Sequence, residues 1–308
     1  MRIAAAAVVV IVFAAVAANA VTIAPGDVAV TAPSCLYACL SAAPPPTYYL
    51  LDHGLNVKGF RAGYYAAFGP NGHLFGSDGG SVTEYDTTLT AVRTFTRPFS
   101  STSALTVAQN GNLFVLSFLG ELTIYSPTGA VLQTISLPFG SPAVRAPSLD
   151  LAPDQCTLFY VDTAQTGRRY DVCTQQPLTN LPPGPWNAVR AMSDGGYAAA
   201  VNSTLSIFDA QDHLLRAYTP PVGEIRALAF DSDPGFILLG TENGLYRVRL
   251  ADGVVTGNFS SIIVVVTVNG EQRAASAPLS TGIPALSPRL LFALALGLTA
   301  LAWQRLRV

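Results

Sequence analysis

The chain has 308 residues, of which 50% are hydrophobic and only 12% charged, with a formal net charge of −2 and a mean hydropathy of +0.39. These values exclude a disordered or polyelectrolyte chain. The apolar excess is concentrated at the two ends. Setting aside Arg2, Arg289, Arg305 and Arg307 leaves 13 basic against 19 acidic residues in 21–282, a net charge of −6, which argues against a basic surface for nucleic acid. A middle of about 260 residues buries one large core, so one domain is expected.

Residues 1–20 read as a signal peptide: Arg2 precedes an unbroken apolar run from Ala4 to Ala18, and Ala18-Asn19-Ala20 supplies the small-x-small pattern for cleavage after Ala20. The mature chain is therefore expected to be exported, where an oxidising compartment favours disulfides. Cys35 and Cys39 would form a local bridge. Cys156 opens a strand-like run and Cys173 closes the next one, so an antiparallel hairpin places the two sulfurs within bridging distance. Neither spacing matches a zinc site and no His lies near either pair.

Residues 21–274 carry a repeat of about forty residues. The turn pairs Asn71-Gly72, Asn110-Gly111, Asp154-Gln155, Asp194-Gly195 and Asp233-Pro234 recur at spacings of 39, 44, 40 and 39. Asn-Gly and Asp-Gly are strong two-residue hairpin signals. Pro98, Pro138, Pro182 and Pro220 open loops at spacings of 40, 44 and 38, lengthening in the same unit. One unit reads as strand a (105–108), strand b (112–117), strand c (121–125) and strand d (131–137), and strand c carries an aromatic at Tyr85, Tyr125, Tyr170, Phe208 and Tyr246. Four short antiparallel strands per unit predict an all-β chain, a β-propeller. The flanks supply a strand a at 262–268 and strands c and d at 48–60, so a sixth blade built from both termini closes the ring and covers its edges. Six blades is the expectation, with five and seven as alternatives.

Residues 275–282 form a small-residue linker to a terminal segment, 283–308. It comprises Ile283-Pro284-Ala285-Leu286-Ser287, an apolar run from Leu290 to Trp303, and Arg305 and Arg307. The order predicts a C-terminal membrane helix whose arginines stay cytoplasmic, leaving the propeller outside. This tail resembles the bacterial IPTL-type sorting signals, differing at Ala285, where Thr is usual. The resemblance implies processing by an exosortase-like membrane enzyme, after which the protein is attached to the cell surface; a plain membrane anchor is the alternative. The repeat region resembles the NHL-type six-bladed propellers of exported bacterial proteins.

No nucleotide-binding, zinc-protease or serine-hydrolase motif is present, and no cofactor is expected. In a propeller the d-to-a and b-to-c loops gather around one mouth of the channel, and function is expected there. These loops hold Asp78, Asp162, Trp186, Arg190, Glu224 and Glu242 as candidate ligand contacts. Converging carboxylates would suit Ca²⁺, and the resemblance to gluconolactonase-type propellers makes a metal-dependent hydrolase the alternative function. The leading expectation is a binding or scaffold module for a protein or glycan.

Overall fold

Short runs rich in Val, Leu, Thr and aromatics, each closed by a residue that tolerates positive φ, give the chain its strands. A computed structural model describes residues 21–32, 47–96, 102–139, 148–259, 265–268 and 270–271, all within one compact unit spanning Met1–Ser276. The expected signal segment with Ala18 and Ala20, the Cys35 and Cys39 pair, the linker and the sorting segment lie outside the described residues. Among the described residues no helix is long and apolar enough to cross a membrane.

The N-terminal part gives β1 (Val28–Ala32), β2 (Thr47–Leu51) and β3 (Val57–Ala62). Five four-stranded sheets follow. Blade 1 is β4 (Tyr65–Phe68), β5 (Leu74–Ser77), β6 (Ser81–Tyr85) and β7 (Ala91–Thr96), and blade 2 is β8 (Thr102–Val107), β9 (Leu113–Ser117), β10 (Glu121–Tyr125) and β11 (Val131–Ser136). Blade 3 is β12 (Leu149–Leu151), β13 (Thr157–Val161), β14 (Gly167–Asp171) and β15 (Gln176–Pro177). Blade 4 is β16 (Trp186–Ala191), β17 (Tyr197–Val201), β18 (Thr204–Phe208) and β19 (Leu214–Tyr218), and blade 5 is β20 (Ile225–Phe230), β21 (Phe236–Thr241), β22 (Leu245–Arg249) and β23 (Val255–Phe259). The last strand, β24 (Val265–Val268), pairs with β1, so blade 6 has the order β24-β1-β2-β3.

Each blade is an antiparallel meander, and the closing blade takes one strand from the C-terminal side and three from the N-terminal side. The inner strands touch in a closed cycle: β4 meets β8, then β12, β16, β20 and β24, which returns to β4. The molecule is thus a six-bladed β-propeller. Sequence reasoning supplied strands a, c and d of blade 6, and the structure adds its strand b as β1.

The a–b turns differ in one respect from the two-residue hairpins expected of Asn-Gly. In blade 1 the Gly72 N–H donates to the Gly69 carbonyl at 3.0 Å and the Gly69 N–H to the His73 carbonyl at 2.9 Å, enclosing three loop residues. Gly72 at φ 76° is the left-handed residue that completes this turn. Blade 2 repeats it at Gly111, φ 82°, whereas blade 3 places Gln155 there at φ 60°. The three-residue loop uses Asn to hold the turn by its side chain, Asn71 accepting from the His73 N–H at 3.1 Å and Asn110 from the Asn112 N–H at 2.9 Å.

Among the described residues, buried side chains form six clusters, one at each blade interface. The cluster between blades 2 and 3 joins Leu116, Leu122 and Ile124 to Leu151, Leu158 and Tyr160. That between blades 6 and 1 joins Tyr48 and Leu50 to Ala66 and Leu74. The strand c aromatics serve these interfaces. Tyr125 meets Phe95 of blade 1 edge-on at 5.5 Å, while Phe208 stacks on Tyr197 of its own blade at 4.8 Å and meets Trp186 edge-on at 5.7 Å.

Candidate functional site

The six inner strands enclose a channel with a cavity of about 790 Å³, within the usual range for small-ligand sites. Its wall includes β4, β8, β12, β20 and β24, and its mouth on the a–b turn side is lined by Asn71, Gln109, Pro153, Ser193 and Gly270. In a meander the a–b and c–d turns lie at one end of every blade and the b–c and d–a connections at the other. The described lining runs from this mouth to Tyr65, Ala104, Ser148 and Arg226 near the d–a ends of the inner strands, while the d–a connections at 97–101, 140–147 and 260–264 lie outside the described residues.

Arg190 lies on β16 and faces the channel. Its Nε donates to the Leu228 carbonyl at 2.7 Å and its Nη2 to the Val266 carbonyl at 3.2 Å, and its Nη1 lies 3.3 Å from Asp150 Oδ1. One guanidinium from blade 4 thus touches the inner strands of blades 3, 5 and 6. Asp150, 1% exposed, also accepts from the Ala191 N–H at 2.8 Å. The same device recurs around the ring. Ser148 accepts from the Val189 N–H at 3.2 Å, Thr267 from the Phe68 N–H at 3.4 Å and Glu271 from the Phe230 N–H at 2.7 Å. The inner edge of a strand a has no further strand to pair with, and on β4, β16 and β20 side chains of a neighbouring blade supply partners instead.

The other candidates occupy separate places. Asp78 closes the β5–β6 turn, accepting from the Gly80 and Ser81 N–H groups at 2.9 and 2.7 Å. Burial opposes its ionisation, but those donors and the Ser81 hydroxyl hold its carboxyl below the usual range. Asp162 is buried in the β13–β14 turn, accepting from the Ala164 and Thr166 N–H groups at 2.9 Å and pairing with Arg168 at 2.6 Å. Trp186 is 4% exposed, and its Nε1 donates to the Pro182 carbonyl at 2.8 Å, so the indole packs under its own loop. Glu224 and Glu242 are brought together: Arg226 lies 3.4 Å from the first and 3.2 Å from the second. Asp78 and Asp162 each bond within their own turns rather than to this pair.

Cys156 and Cys173 are joined in a disulfide with a Cα separation of 5.2 Å, and the Val172 N–H donates to the Cys156 carbonyl at 2.9 Å, as the hairpin argument required. Among the described residues, these two and Asp171 are the group whose ligand atoms lie close enough for a metal ion. With both sulfurs in the disulfide they are not thiolate ligands, and Asp171 accepts from the Cys173 and Thr174 N–H groups at 2.8 and 2.9 Å. The set does not fit a cation.

Asp150 and Arg226 were not among the sequence candidates. Asp150 had a signal in the repeat: counting back two residues from the a–b turn gives Ala67, Thr106, Asp150, Arg190 and Ala229 in blades 1 to 5. Only blades 3 and 4 place a charge there, of opposite sign and on adjacent inner strands.

The architecture and the channel define the class as six-bladed β-propellers. No protein-family model and no curated protein matches the sequence. A crystal structure of a protein of unknown function from Bacteroides caccae has the same fold, with a TM-score of 0.64 over 80% of this chain and 100% of that one, at 10% identity.

Proposed function

We propose that the chain is an exported propeller that acts as a binding or scaffold module, held at the membrane or cell surface by its C-terminal segment. The observation that carries this reading is the channel, whose charged wall residues already have partners within the protein: Arg190 with Asp150, and Arg226 with Glu224 and Glu242. Among the described residues, such a wall offers shape and neutral polar contacts rather than a displaced acid, base or nucleophile. The four carboxylates that a metal-dependent hydrolase would draw on lie in three separate turns or pairs, which does not favour that alternative.

The export half of the reading rests on Ala18-Asn19-Ala20 and on the 283–308 segment. Processing of Ile283-Pro284-Ala285-Leu286-Ser287 by an exosortase-like enzyme belongs to it. Mass spectrometry of the protein recovered from its native envelope should find Val21 as the first residue and a C-terminus short of Val308. An intact Val308 would leave the anchor and remove the processing step. For the binding half, stoichiometric Ca²⁺ or Zn²⁺ in the purified full chain together with lactone turnover would overturn the scaffold reading in favour of the hydrolase.

A further inference from the structure

We propose that the channel takes a small uncharged molecule bearing several hydroxyl groups, a sugar or polyol, and admits it through the a–b turn mouth. This deepens the binding reading and rests on it.

The charge of the wall sets the class. Among the described residues, the charged side chains lining the cavity are Asp150, Glu271, Arg190 and Arg226, two of each sign. Each is engaged: Arg190 with Asp150 and two carbonyls, Glu271 with the Phe230 N–H, Arg226 with Glu224 and Glu242. A charged ligand at depth would have to compete with these partners, which is costly at the largely buried Arg190–Asp150 pair. A neutral one faces no such conflict.

The mouth disfavours anions a second time. The Asp154 and Asp194 carboxylates belong to the a–b turns beside Pro153 and Ser193, which line the opening. Donors within its own turn keep Asp154 ionised, despite its partial burial. Their field lowers the local concentration of phosphates and carboxylates and leaves neutral solutes unaffected.

The accessible polar groups not tied to the charge pairs are neutral: Asn71, Gln109 and Ser193 stand at the mouth beside the rings of Pro70 and Pro153. A molecule with C–H faces and hydroxyl edges matches that mixture, since its faces can rest on the proline rings while its edges find amide and hydroxyl partners. A cavity of about 790 Å³ leaves room for one or two sugar rings.

The test uses the full chain purified in detergent. Calorimetric titration is run with glucose, N-acetylglucosamine, cellobiose and glycerol, alongside glucose 6-phosphate and glucuronate. The expected result is saturable binding of at least one neutral compound and none of its anionic counterpart. Ser193→Trp and Gln109→Trp, both at exposed mouth positions, should each weaken binding by about tenfold or more while leaving the melting temperature unchanged. Undiminished binding in both variants would overturn the proposed entrance and with it the site. Binding confined to the phosphate or uronate would overturn the ligand class and leave the binding-module reading standing. No binding by any of the six would overturn the proposal, whereas the binding-module reading itself falls only to metal-dependent turnover.

Discussion

Blades 2 and 3 share one buried cluster and one repeat pattern, yet they are held together differently. Blade 2 has strands of six, five, five and six residues, joined by ladders along their length. In blade 3 the inner strand has three residues and the outer one two, the second being Pro177, which has no N–H to give a ladder. What the ladder lacks, side chains and a covalent bond provide. Asp150 ties β12 to β16, and the Cys156–Cys173 disulfide staples the corner from which β15 departs. The turns diverge as well: blade 2 builds its a–b and c–d turns on the neutral Asn110 and Ser126, blade 3 on the carboxylates of Asp154 and Asp171. A repeat unit therefore tolerates truncated strands when ties across and within the blade replace the missing backbone pairs.

The largest way to break this contrast is at the inner strands. Asp150→Ala leaves the Arg190 guanidinium largely buried without its carboxylate and the Ala191 N–H without its acceptor. It should cost about 3–5 kcal/mol in urea unfolding. Thr106→Val, at the corresponding position of blade 2, should cost about 1 kcal/mol or less. A small loss at Asp150 would mean that the cross-channel tie contributes little.

Next in size is the disulfide. Cys156 and Cys173 are separated by 17 residues, and closing a loop of that length stabilises by about 3 kcal/mol. Reduction, or the double Cys→Ser variant, should lower the urea midpoint accordingly. Hydrogen exchange should then rise in β13 and β14 before it rises in β9 and β10.

Acid should separate the two blades further. The Thr174 N–H and hydroxyl hold the Asp171 carboxyl below its usual range. At Asp154 burial acts upward, but the Thr157 hydroxyl and N–H and the Cys156 N–H outweigh it, so its value is also lowered. A carboxylate with a lowered folded-state value contributes stability above its unfolded value of about 3.9 and loses it as the pH falls further. Amide protection at Thr157 and Thr174, corrected for intrinsic exchange, should therefore decline below about pH 4. Protection at Asn112 and Ala130, whose acceptors do not titrate, should hold. Parallel loss in both blades would contradict the distinction.

The smallest effect belongs to the outer strand of blade 2. Leu132 is 56% exposed, so Leu132→Thr should change stability by no more than about 0.5 kcal/mol.

Much of this was legible in the residues. Strand c and strand d of blade 2, expected at 121–125 and 131–137, are observed at Glu121–Tyr125 and Val131–Ser136, because alternation bounded by Gly and Pro is a local signal. Strand β8 begins at Thr102, three residues before the expected start, since Thr102 and Ser103 are polar yet fully buried. Thr102 is met by the Ser77 hydroxyl at 2.8 Å, and Ser103 donates to the Leu116 carbonyl at 3.0 Å. Burial secured by such hydrogen bonds to other strands leaves no hydropathy trace. Strand β1 in Val28–Ala32 was not separated from its surroundings, because its pairing with β2 and β24 on its two edges defines it. For the channel, Arg190 was named as a ligand contact, but its bonds to three other blades follow from ring geometry, and Asp150 emerges only when the repeats are superposed.

The closing blade carries a consequence for synthesis. Val28 pairs with Val268 and Thr31 with Val265, so β1 is among the first strands made and its partner is the last. Until residue 268 has emerged, an apolar strand whose Val28 and Val30 end up buried presents an open edge, the kind that captures strands from other chains. The time needed to make the five intervening blades is the time during which that edge stays exposed, so slow translation or slow export should be read out as aggregation, even in a protein whose closed ring is stable.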